Sequence, residues 1–273
     1  MTLFNGFAWT RAAAYASSKL AAAGTVFLGF LALTAGLDLV EMAELTREFP
    51  LWAFVYGYAV LFAVVVDAAL WKLKRSPAKA AFTLLLYILG GVLPFLAWYP
   101  SQWLWVLFGG FYGVACSLTF LGAALIYRAW WPYSGAAAVL LLAASLYVSM
   151  ADFTVTEQWS ENRSADGYQA KFDYFHGKKE IPIELERGQT LFYRIDWRIS
   201  NGGGYGYGLK GEGVSSTNDV QDDGEWMGYQ VDEPSTVRIV VTGRRAQGEF
   251  AIAWRITGDG GGNHRNERAV TEL

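Results

Sequence analysis

At 273 residues, 53% apolar and with a formal net charge of −3, the chain is long enough for two domains and lacks the basic excess that nucleic-acid binding needs. A single cysteine, Cys116, excludes an intrachain disulfide. The two histidines, His176 and His264, both lie in the second half, which excludes a histidine-based metalloprotease set in the first.

The composition shifts near Asp152. Residues 1–153 hold eight basic and six acidic side chains, net +2, and the remainder holds 14 and 19, net −5. The expected fold is an α-helical membrane bundle over 1–153, then an all-β immunoglobulin-like or jelly-roll sandwich over 154–257 and a disordered polar tail over 258–273. The segment FAWTRAAAYASSK is expected to form a short amphipathic helix on the inner membrane surface. Five runs then approach the 20 or so apolar residues that a helix needs to cross hydrocarbon, at 20–40, 51–71, 80–98, 103–127 and 133–151. A cleaved signal peptide is the rival for the first run, whose length exceeds a usual signal core.

Orientation follows from the basic residues of the short loops. With the N-terminus inside, Arg11, Lys19, Lys72, Lys74, Arg75, Lys79 and Arg128 are cytoplasmic and Arg47 is outside, so five spans place the β half beyond the membrane.

Three carboxylates, Asp38, Glu41 and Asp67, lie at or near membrane depth and are candidates for an intramembrane polar path. In the fourth run Gly109, Gly113 and Ser117 recur every fourth residue, a spacing that lets helices approach closely. Gly90, Gly91 and Pro94 are expected to bend the third.

Beyond Phe153 the pattern alternates as half-buried strands do. Leu191, Tyr193, Ile195, Trp197 and Ile199 share one face; Val237, Ile239 and Val241 share another; Phe250, Ile252, Trp254 and Ile256 form a third set. GRRAQG between the last two sets reads as a hairpin connector, and GYQAKFDYF, KEIPIELE and EWMGYQV as weaker strands. Trp197 and Trp254 are assigned to the core. The run NGGGYGYGLKGEG presents Tyr205 and Tyr207 on bare backbone, and with Trp226 and Tyr229 these form the candidate ligand or partner surface. Asp219, Asp222 and Asp223 match the spacing of a calcium loop poorly and read as an acidic turn.

No catalytic set, cofactor motif or metal site is read from the chain. The expectation is a non-enzymatic, multipass protein of a bacterial plasma membrane, its C-terminal domain outside and binding or sensing an envelope protein or polysaccharide. The alternatives are a small transporter or channel using the intramembrane carboxylates, and an accessory subunit of an envelope complex.

Overall fold

In the computed structural model the chain divides into two compact units, Met1–Phe153 and Thr154–Leu273. The structure describes residues 3–74, 76–211, 214–217 and 226–258, with side chains left aside at 3–9, 11 and 214–217. The expected tail and the Asp219, Asp222 and Asp223 turn lie outside the described residues.

The first unit is helical: α1 Leu3–Ala35, α2 Leu39–Glu48, a π-helical segment Trp52–Ala59 running into α3 Val60–Ala69, α4 Pro77–Trp98, α5 Trp103–Ala129 and α6 Trp131–Met150. Among the described residues five helices are long and apolar enough to cross a membrane: Ala12–Ala35, Trp52–Ala69, Pro77–Trp98, Trp103–Ala129 and Trp131–Met150. Within its apolar window α1 is 56% buried, against 11–22% for the other four, so it is the element the others surround.

Two expectations are corrected in α1. The N-terminal segment is not a separate surface helix but the first turns of α1, and the 20–40 run breaks after Ala35. Gly36 (φ +63°) and Leu37 (φ +64°) turn the chain through the left-handed region. The Asp38 carboxylate then accepts from Val40 N at 3.0 Å, capping a second, amphipathic helix.

Small residues and hydroxyls join the helices. Gly91 of α4 and Gly113 of α5 meet backbone to backbone, and a Cβ on either would overlap the other chain segment. Ser117 Oγ donates to Tyr87 O at 2.7 Å along the same seam. Pro94 cannot donate to Gly90 O one turn earlier, and Tyr58 Oη of the π-helical segment supplies that bond at 2.7 Å. Trp52 Nε1 donates to Ser149 Oγ, and Tyr56 Oη pairs with Ser145 Oγ, each at 3.0 Å.

The second unit is one antiparallel sheet of eight described strands: β1 Val155–Glu157, β2 Ser160–Arg163, β3 Gly167–Leu185, β4 Gln189–Ile199, β5 Gly204–Lys210, β6 Val214–Thr217, β7 Met227–Val231 and β8 Ser235–Gly258. Its spine is the pairing of β3 with β8 over nearly their whole lengths. The second half of β8 also pairs with β4, and its first half with β5.

GRRAQG is therefore no hairpin: it lies inside β8, and the two strands expected on either side of it are one. GYQAKFDYF and KEIPIELE likewise merge into β3. Both strands bend at matched places, β3 by register shifts between Phe172 and Gly177, β8 at Arg245 (φ +53°) and Gly248 (φ +147°). A Cβ on Gly248 would overlap the Arg198 carbonyl, so that position takes only glycine without displacement of β4.

The two halves of the bent sheet feed one buried cluster. Phe172, Leu191, Tyr193, Phe250 and Ile252 come from one half, Ile181, Ile183, Val237, Ile239 and Val241 from the other. Burial of each large apolar side chain contributes about 1.5–3 kcal/mol, which here acts without a disulfide. Trp254 is in this core, its indole N–H donating to Ala165 O at 3.1 Å. Trp197 sits at the core's edge, half-buried.

Candidate functional site

The ladder registers decide which of the candidate aromatic side chains share a face. Tyr207 pairs with Val241 and Leu209 with Ile239, so Tyr205, Tyr207 and Leu209 all project from the core side of β5. Leu209 is covered, whereas Tyr205 and Tyr207 extend past the core and stay 57% and 52% exposed. Trp197, paired with Phe250, is on the same side of β4; its ring lies 4.8 Å from Phe250 and 5.1 Å from Tyr205. The Trp197 indole N–H is enclosed and finds no acceptor among the described residues.

Tyr229 belongs to the same surface. It pairs with Leu191 and stacks on Tyr193 at 6.0 Å. Burial pushes the Tyr193 hydroxyl above the usual tyrosine range, and the nearby Tyr229 and Tyr207 hydroxyls push it further. The structure thus brings Tyr205, Tyr207 and Tyr229 together around Trp197 and Tyr193.

Trp226 is elsewhere. Its ring lies under the guanidiniums of Arg255, at 4.7 Å, and Arg194, at 5.7 Å. Those arginines alternate with core-facing Trp254 and Tyr193, so Trp226 is on the opposite face of the sheet.

A second polar centre of this unit gives no periodic signal. Glu161 Oε2 accepts from Lys179 Nζ at 2.8 Å, from Trp159 Nε1 at 2.7 Å and from Tyr168 Oη. Lys179 and the other two donors hold the Glu161 carboxyl down at about 2. Trp159 in turn stacks on Phe172 at 5.4 Å, so the carboxylate ties an edge strand to the core.

In the helical unit, Lys19 is not a loop cation. It is buried in α1, with Nζ 2.9 Å from Asp67 Oδ2 of α3, and Tyr15 Oη donates to the same oxygen at 2.8 Å. The sequence signal was a lone lysine beside alanines and a lone aspartate near the end of the next span; nothing in either segment links the two. Tyr87 Oη is enclosed and has no hydrogen-bond partner among the described residues. Asp38 and Glu41 form the start of α2, with Asp38 at its N-cap. Gly109 lies against the Phe95 ring, Gly113 against Gly91, and Ser117 on the Tyr87 carbonyl.

A cleft of about 260 Å³ opens between α1, the π-helical segment, α4 and α5. Its walls are almost wholly apolar, with Phe54, Phe95 and Phe120 among them and Gly90, Gly91 and Gly109 supplying bare backbone. Asp38, Glu41 and Asp67 do not line it. Among the described residues no group of three or more His, Cys, Asp or Glu could hold a metal ion.

Comparison of the chain with protein families, curated proteins and solved structures found no match in any of the three.

Proposed function

We propose that the protein is a non-enzymatic, multipass protein of a bacterial plasma membrane that presents its β unit, read as a sandwich made by folding one sheet on itself, outside the cytoplasm. There the surface of Trp197, Tyr205, Tyr207 and Tyr229 binds the sugar rings of an envelope polysaccharide. The observation that carries the binding reading is the exposure of Tyr205 and Tyr207 in step with core residues. Two large rings are held on a fixed strand, beside an indole whose N–H has no acceptor among the described residues. Rigid aromatic faces lose little conformational freedom on binding and match the flat apolar faces of pyranose rings.

The orientation is supported by how the helix ends gather. Ser17 meets Ser134, Lys19 meets Asp67, Thr25 meets Tyr127 and Lys79 Nζ donates to Leu70 O, so these ends lie together with Lys72, Lys74 and Arg128. At the other end Arg47 donates to Ala151 O, where the chain leaves α6. A single concentration of cations at one end is what the cytoplasmic bias of lysine and arginine produces.

Two experiments test this. Protease added to intact spheroplasts is expected to remove the β unit, and its survival until lysis overturns the orientation. Pull-down of the detergent-solubilised full chain by isolated cell-wall polysaccharide is expected to be lost in Tyr205→Ala/Tyr207→Ala without a fall in thermal midpoint. Undiminished capture overturns the ligand surface.

A further inference from the structure

The half-sheet made by β5, the first half of β8 and the second half of β3 is charged unlike the unit around it. Ile183, Ile239 and Leu209 take the core side of these strands, so alternation turns Lys178, Glu180, Glu184, Arg238, Arg244 and Lys210 to the outer side. Residues 154–273 are net −5, yet this face carries four cations against two carboxylates. Glu180 alone is approached by Lys178 at 3.6 Å, Lys210 at 3.5 Å and Arg238 at 3.9 Å. Among the described residues Lys210 and Arg238 have no other carboxylate partner, and they stay 50% and 52% exposed.

Extent and position identify what this face fits. From Arg238 to Arg244 is six residues, about 20 Å of strand, which is farther than one small anion spans and matches an array of anions. Gly204, Gly206 and Gly208 leave the same side of β5 without side chains, so a broad surface can come close. Thr154 Oγ1 accepts from Lys178 N at 3.2 Å. Only four residues of chain, at most about 14 Å, link Thr154 to Met150, the last residue of α6. The anionic array within that reach of a membrane span is the headgroup layer. We infer that this face docks on the phosphates of anionic phospholipid headgroups. The inference rests on the membrane part of the function proposed above and concerns the side of β5 opposite Tyr205 and Tyr207.

A label on the face reads the docking. A Cβ on Gly208 meets nothing within 4 Å, so Gly208→Cys takes a bimane label in a Cys116→Ala background; Thr242→Cys serves where that variant does not fold. The full chain is placed in phosphatidylcholine nanodiscs with or without phosphatidylglycerol, a trace lipid carrying a nitroxide on its headgroup. Entry into the discs is checked first by size exclusion. Quenching is expected with phosphatidylglycerol and is expected to vanish in phosphatidylcholine alone, or in about 1 M salt, where the screening length falls to about 3 Å. A cation near an anionic surface changes the docked-to-free ratio about fivefold, so Lys210→Gln/Arg238→Gln is expected to lower it roughly 25-fold. A label at Arg198→Cys, on the outer side of the other half-sheet, is expected to stay unquenched. Equal quenching in the two lipid compositions or at the two label sites, or no response to Lys210→Gln/Arg238→Gln, overturns the headgroup site. So does binding of soluble polyphosphate in phosphatidylcholine discs without quenching in phosphatidylglycerol discs, which assigns the face to an anionic polymer. These results leave the membrane reading standing, whereas failure to enter discs overturns the membrane reading itself.

Discussion

The two units differ most in what they leave exposed. In the helical unit Ala21, Ala22, Ala23, Ser134, Ser145 and the ion-paired Lys19 are buried beside Phe27, Leu31, Tyr87 and Phe120, while Leu33, Phe111, Trp103 and Leu140 stand exposed. In the β unit Phe172, Phe175, Tyr193, Phe250 and Ile239 are enclosed, and charged side chains such as Arg198 and Glu249 pair on the outside. On the membrane reading proposed above, the exposed leucines and aromatic rings would meet lipid as apolar as themselves, and close backbone approach and hydrogen bonds would add to the core in joining the helices. Where the surroundings are water, the large apolar side chains themselves drive the fold.

Asp67→Ala probes this contrast hardest. It leaves the buried Lys19 ammonium without its carboxylate, and because Asp67 is 39% exposed the loss falls below the about 3–5 kcal/mol of a fully buried pair. The full chain in mild detergent is expected to lose monodispersity or melt well below the parent. The double change Lys19→Met/Asp67→Leu is expected to recover most of the loss, since it removes both charges; a mild single variant would show the pair to be dispensable.

Truncation in the two units sharpens the comparison. Phe250→Ala opens the β core, at about 3–4 kcal/mol. Phe111→Ala, on the 73% exposed face of α5, is expected to change stability by less than about 0.5 kcal/mol. Similar losses in both, followed by near-ultraviolet circular dichroism, would mean that the outer face of α5 is packed against a neighbour rather than exposed.

A smaller effect than that of opening the β core is a pH dependence. The Glu161 carboxyl is depressed in the folded state, so its contribution is present above the ordinary carboxylate value and fades as pH falls from about 4.5 towards 2. The group is 44% exposed, so solvent screening keeps the contribution of each ion pair below about 1 kcal/mol. Glu161→Gln is expected to lower the midpoint by a few degrees at neutral pH and to approach the parent below pH 3. A gap that stays constant would assign the effect to packing.

Much of this architecture was legible. Five apolar runs became helices long and apolar enough to cross a membrane, since a helix pairs its own backbone groups within one segment. Alternation at Leu191–Ile199, Val237–Val241 and Phe250–Ile256 became strands with those residues turned to the core side, except that Ile256, near the end of β8, stays 42% exposed. Asp38 was misread because a short run cannot distinguish a helix end within an apolar stretch from its continuation, and the left-handed turn at Gly36 and Leu37 decided it. GRRAQG was misread because a turn-rich string is also what a bent strand needs. Of the aromatic candidates, register gathered Tyr205, Tyr207 and Tyr229, and the same register put Trp226 on the other face.

Periodicity and composition alone determined the order of the elements and which side of most strands faces inward, since both follow from local geometry repeated along the chain. The Lys19–Asp67 pair, the meeting of Gly91 with Gly113, the merging of four expected strands into β3 and β8, and the apolar cleft belong to the tertiary structure. Each joins residues far apart in the chain, and no local pattern specifies which distant partner lies beside a given residue.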